Sequence, residues 1–367
     1  MTSPRDLVGH AFDELEIGQT ASLERICSDH DLVVFAHASG NLNPRHLPGL
    51  VLHKRGKFER LLRACNGAPA MPTAIVAPTD AISLGGAWEA TKQRLIEPIL
   101  VGPEARIRAV AEQIGWDLHD VRLIATPDDH AAPARAVALV HEGIAAAVMK
   151  GNIHSDEVLK HVTKADGGLR AGRRISHAFV LDVPGREGLL IISDAAINIA
   201  PDLMTKADIV QNAIDLAQAL GLAQPKVGIL SAVETVNPAI PSTLDAAILS
   251  KMADRGQITG GIVDGPLAMD NAVDIEAAKT KGIVGLVAGH ADVLIAPNLE
   301  SGNMLAKQLV YMSDADTAGL VVGARAPVML TSRADDEHAR LMSAAIAVLY
   351  SHWKATGASL VQPEPTP

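Results

Sequence analysis

Residues 73–102 read TAIVAPTDAISLGGAWEATKQRLIEPILVG. A run of β-formers (Thr73–Pro78), an amphipathic stretch (86–95) and a second apolar run (Pro98–Gly102) follow one another. Strand, helix, strand in this order is one βαβ unit, with parallel strands and a right-handed crossover. The alternation continues along the chain. Apolar runs recur at Val121–Ala125, Ala145–Lys150, Gly188–Ser193, Lys226–Ser231, Gly260–Asp264, Asp292–Pro297, Gly319–Gly323 and Pro327–Ser332. Helical periodicity lies between them at 103–114, 132–142, 155–163, 205–220, 243–254, 272–281, 302–312 and 335–353. The pattern predicts an α/β fold with a mostly parallel, doubly wound sheet. Ten strands are better housed in two domains than in one sheet. The turn DVPGREG (182–188) is the expected seam.

Composition agrees with this class. The chain has 367 residues, 48% hydrophobic but only 2% aromatic, so Ala, Val, Leu and Ile must fill the core. Parallel strands buried on both faces have this composition. A net charge of −10 argues against a nucleic-acid partner or an anionic membrane surface, so an anionic substrate needs a local cluster of cations. Two cysteines, Cys27 and Cys65, give no disulfide framework and point to a reducing cytoplasm. The acidic start has no apolar signal core, and no run reaches the ~18 residues of a membrane span. The fourteen histidines form no H-E-x-x-H and the cysteines no C-x-x-C, so no metal is expected. Neither a P-loop nor a G-x-G-x-x-G follows a strand.

In open α/β sheets ligands sit at the carboxyl ends of strands. Four strand ends here are polar: Lys150-Gly151-Asn152; Asp264-Gly265-Pro266 with Asp270 close after; Asn298 to Asn303 through Gly302; and Ser332-Arg333. They suggest one shared site, although βα loops are polar in any case. The last junction, VMLTSRADDE (328–337), joins a hydroxyl, a guanidinium and two carboxylates to a helix start. Helix N-termini favour anions, but Ser332-x-x-Asp335 is also a plain capping box. The basic run RAGRRISH (170–177) could hold phosphates through its guanidiniums, or be a solvated turn.

Four ordered stretches resemble the phosphate acetyltransferase/phosphate butyryltransferase family: APTDAISLGGAWEATKQRLIEPILVGP (77–103), VDGPLAMDNAV (263–273), VAGHADVLIAPNLESGNMLAKQLVY (287–311) and GARAPVMLTSRAD (323–335). The second and fourth look closer to the butyryl-type branch. The resemblance covers about residues 55–355. It implies an isocitrate/isopropylmalate dehydrogenase-like architecture: one α/β domain from 51–186 plus 318–357, a second from 187–317, a cleft between them and a flexible tail at 358–367. It also implies a cytoplasmic homodimer without a permanently bound cofactor or metal. Residues 35–46, FAHASGNLNPRH, resemble the start of a MaoC-type enoyl-CoA hydratase motif, so residues 1–50 read as a truncated, poorly packed remnant. Asn41 stands where that family has its Asp, with His46 five positions on. An amide cannot serve as the base, so no hydratase activity is expected.

The implied reaction is acyl-CoA plus inorganic phosphate to acyl phosphate plus coenzyme A, for acetyl or a short acyl group such as butyryl. A carboxylate near pKa ~4 faces a thiol near ~8.5, a gap of roughly 6 kcal/mol. The base therefore needs a raised pKa, or the thiolate a nearby cation. The resemblance gives Arg333 the phosphoryl group, Ser332 the thiol or oxyanion, and Asn303 with Gly302 the phosphate or acyl oxygen. Lys150, Lys160, Arg170, Arg173 and Asp270 are further substrate-binding candidates. The acetyl-type branch has its Asp seven positions after the serine, where this chain has Ala339. The butyryl-type pattern places it at Asp335, with Asp336 and His338 in reserve. The rival readings are a coenzyme A-binding protein without activity and a dehydrogenase of the same fold.

Overall fold

The computed structural model describes residues 48–332 and 335–362. The elements alternate as expected: α1 (Pro48–Ala64), β1 (Met71–Val76), α2 (Ala81–Lys92), β2 (Ile96–Gly102), α3 (Glu104–Ile114), β3 (Arg122–Ala125), α4 (Ala132–His141), β4 (Ala147–Lys150), α5 (Ser155–Val162), β5 (Ser176–Asp182) and β6 (Leu190–Ser193). Then come α6 (Leu203–Ala219), β7 (Lys226–Leu230), α7 (Pro241–Asp254), β8 (Ile262–Leu267), α8 (Met269–Val273), α9 (Ile275–Thr280), β9 (Val293–Ile295), α10 (Leu299–Met312), β10 (Asp316–Val322), β11 (Val328–Met329) and α11 (Glu337–Thr356).

The strands form one sheet in the order β3-β2-β1-β4-β11-β10-β5-β6-β9-β7-β8. The fold is a mixed, mainly parallel α/β sheet with helices on its faces. Its two parallel groups are not separate sheets, because β5 and β10 join them. Pairing at β11–β10, β10–β5 and β5–β6 is antiparallel, and every other pair is parallel. Three reversals make β6, β9, β7 and β8 run opposite to β1–β4 and β11. The register aligns Met329 with Leu320, Leu320 with Ala178, and Ala178 with Ser193. The two groups therefore finish on one rung and leave it in opposite directions.

Strand β5 escapes the sequence reading. Its buried Ser176, His177 and Asp182 look like surface residues, and the basic run before it masks the apolar pattern. The expected helix at 272–281 is instead two short helices, capped at Asp274. Helix α11 is buried continuously from Ala339 to Tyr350, and its many small side chains let it lie deep against α2, α6, β10 and β11. Residues within the expected flexible tail pack on the body of the protein: Ser359 Oγ donates to Ala219 O at 2.8 Å and Val361 is buried. Among the described residues, no helix is long and apolar enough to cross a membrane.

Candidate functional site

Lys150 ends β4 and Leu330-Thr331-Ser332 leaves β11, its parallel neighbour. Lys150 is only 1% exposed, so it sits beneath this junction and not on its surface. Its Nζ donates to Thr331 O at 2.9 Å. A second buried cation completes the underside. Arg340, 2% exposed, donates from Nη1 to Lys150 O at 2.9 Å and from Nη2 to Ser332 O at 3.5 Å. Gly86 makes room for it, because a Cβ there would lie 2.7 Å from Arg340 Cδ.

The turn above is closed by Asp335. Its Oδ2 accepts from Ser332 N at 2.7 Å, and its own N–H donates to Ser332 O at 3.2 Å. The cap of α11 is Asp336, whose Oδ1 accepts from Ala339 N at 2.9 Å. The capping box expected from Ser332 and Asp335 thus closes the turn before the helix and does not cap the helix. Burial pushes the Asp335 carboxyl above its ordinary range, while the Ser332 N–H and the charges of Arg340 and Lys150 pull the other way. Burial lowers the Arg340 guanidinium from its usual value, and the carboxylates of Asp80, Asp335 and Asp336 oppose that shift. A small pocket of about 140 Å³ opens beside Asp335 and Asp336, lined also by Tyr311, Asp316, Thr317 and His338. Arg333 lies outside the described residues.

The other candidates lie elsewhere. Strands β8 and β9 run opposite to β4 and β11, so their polar ends reach the shared rung from the other direction. Asn303 donates from Nδ2 to Ala195 O at 3.0 Å. Gly302 allows this approach: a Cβ there would be 2.4 Å from Asp194 O. Asp194, buried, organises the loop after β6 by accepting from Ala196 N, Ile197 N and Asn198 N. Asp270 is exposed and 2.9 Å from Lys281, whose ammonium holds its carboxyl below the usual range. Lys160 is exposed on α5. Arg170 and Arg173 line a different pocket, with Arg174.

Sequence reasoning missed Arg340 and Asp80. Arg340 follows Asp336 by four positions, a spacing that on any helix reads as an exposed ion pair. Asp80 reads as the N-cap of α2, and it is one, accepting from Ser83 N at 2.6 Å.

Fold and junction define a class: a doubly wound α/β protein with two buried cations beneath one strand–helix turn and, in the turn, a carboxyl whose pKa burial raises. The profile of the phosphate acetyl/butaryl transferase family matches residues 131–348. A phosphate acetyltransferase of Rhizobium meliloti is 56% identical over 295 residues, 80% of this chain and 93% of the relative. A phosphate butyryltransferase of Clostridium acetobutylicum is 41% identical over 292 residues, 80% of this chain and 97% of the relative. The crystal structure of a branched-chain phosphotransacylase from Enterococcus faecalis V583 superposes with a TM-score of 0.67 at 30% identity, covering 77% of this chain and 99% of that one. The chain belongs to the phosphate acetyl/butaryl transferase family. The MaoC-type resemblance, with Asn41 and His46, falls outside the described residues.

Proposed function

We propose that the chain is a phosphate acyltransferase, moving an acetyl or short acyl group reversibly between coenzyme A and inorganic phosphate, with its reacting centre at the Ser332–Asp335 junction. One observation carries the placement: a carboxyl lifted by burial stands over two buried cations within the family-matched segment.

In the direction of acyl-CoA formation, Asp335 takes the proton of the coenzyme A thiol. The sulfur attacks the acyl carbon, the S–C bond forms and the carbonyl oxygen becomes an oxyanion beside the Ser332 hydroxyl. The oxyanion then re-forms the carbonyl as the bond between the acyl carbon and the phosphate oxygen breaks, and inorganic phosphate leaves, the role of holding it being assigned to Arg333. The raised pKa of Asp335 narrows its gap to the thiol from one side. The charges of Lys150 and Arg340 favour the thiolate from the other. Both cations are tied to backbone carbonyls, so they act through their fields and hold the turn in place. Asn303, Gly302 and Asp270 belong to the other strand group, and we assign their contact with substrate to closure of the two groups on each other. We assign residues 51–186 with 318–357 to one moving body and 187–317 to the other. A cytoplasmic homodimer follows from the family resemblance alone. Thiol release from C2 to C8 acyl-CoAs, with and without phosphate, tests the activity. Release that does not depend on phosphate would refute it.

A further inference from the structure

A pocket of about 420 Å³ lies away from this junction. It lies where the second strand group ends, beside the start of β5. The segment carrying Arg170 and Arg174 forms one wall, the loop with Ile197 and Asn198 another, and Asp208 of α6 a third. The pocket is preformed. Asn198 Nδ2 donates to Ile175 O at 2.9 Å, Arg170 Nε donates to Thr163 O at 2.6 Å, and Arg174 N donates to Asp208 Oδ2 at 3.0 Å.

Its charge is arranged for an anion. Arg173 is committed to Asp215, with Nη1 at 2.6 Å from Oδ2. Among the described residues neither Arg170 nor Arg174 forms an ion pair with a carboxylate. Two exposed guanidiniums that make no such ion pair line one cavity, and they stand out on a chain that carries −10. Guanidiniums match phosphate oxygens in pairs. Ile175 and Ile197 add an apolar wall, and the volume exceeds that of a lone phosphate.

We infer that this pocket is a second ligand site, separate from the Ser332–Asp335 junction, that takes the phosphate ester of a nucleotide. Arg170 and Arg174 grip the phosphate and the isoleucines face the nucleoside. The same chemistry could come from the phosphoadenosine end of coenzyme A or from a free nucleotide.

Calorimetric titration of adenosine 3′,5′-bisphosphate into the full chain tests it. Arg170→Gln with Arg174→Gln weakens binding at least tenfold. Both side chains are exposed, so the double variant folds. Asp208→Asn keeps an oxygen for Arg174 N but removes a negative charge, so it tightens binding several-fold. Arg106→Gln, on a different surface pair with Asp129, changes nothing. Asp335→Asn also leaves this binding intact, so the inference stands or falls independently of the catalytic assignment. A raised acyl-CoA KM in the double variant identifies the coenzyme as the source. An unchanged KM with lost bisphosphate binding identifies a free nucleotide. Wild-type bisphosphate affinity in the double variant overturns the inference, as does weaker binding by Asp208→Asn.

Discussion

Replacing Arg340 with methionine separates the two tasks of the buried cation. The side chain makes one short charged hydrogen bond, to Lys150 O at 2.9 Å, and one at the limit of bonding, to Ser332 O at 3.5 Å. The first is worth about 1.5–3 kcal/mol, the second little. Methionine also leaves the Lys150 carbonyl buried without this donor. Against that, the variant relieves the desolvation of a buried charge whose Nε has no partner. The net loss is about 2–4 kcal/mol. At ~2.1 cal/mol/K per residue over the folded chain, this lowers Tm by roughly 3–6 °C. The electrostatic consequence has a definite sign. Arg340 pulls the Asp335 pKa down, so its removal lets burial push that pKa further up. The acidic limb of the pH–kcat profile for acyl phosphate plus coenzyme A then moves to higher pH. Arg340→Lys keeps the charge and holds the limb closer to wild type. Differential scanning calorimetry and initial rates from pH 5 to 9 measure both effects. A Tm loss with an unmoved acidic limb would refute the coupling between Arg340 and Asp335.

Three further outcomes are expected. A carboxyl whose folded pKa is raised binds its proton more tightly when folded, so its contribution is complete below the unfolded pKa of ~3.9 and is lost as pH rises through the folded value. Urea denaturation should therefore show Asp335→Asn gaining stability relative to wild type across that window, and an equal pH dependence in both proteins would contradict the raised pKa. Gly302→Ala forces a Cβ to 2.4 Å from Asp194 O and should cost about 1–3 kcal/mol, seen as a lower Tm; no change would show that α10 shifts freely. The Cys65 thiol, pushed up to about 12 by burial, should resist alkylation at pH 8 in the native protein, checked by peptide mass mapping.

The fold was largely legible because most strands are apolar runs between amphipathic helices. The exception, β5, is the strand that joins the two groups, and its register brings polar Ser176, His177 and Asp182 into the interior. Periodicity cannot find a strand whose buried positions are polar. Missing it also hid the reversal of direction between the two strand groups. The junction itself was legible as a set of residue types. What the sequence could not supply was depth: Lys150 and Arg340 have the composition of surface cations, and only packing against Gly86 and the β4–β11 pair puts them underneath.

The most direct measurement is single-turnover and steady-state thiol chemistry of Asp335→Asn. The asparagine Oδ still accepts the Ser332 N–H, so the turn and the fold are retained. Loss of a general base predicts kcat lower by about 10²–10⁴-fold with a small change in the phosphate KM. Wild-type kcat in a correctly folded Asp335→Asn protein would contradict the assignment of proton transfer to this junction.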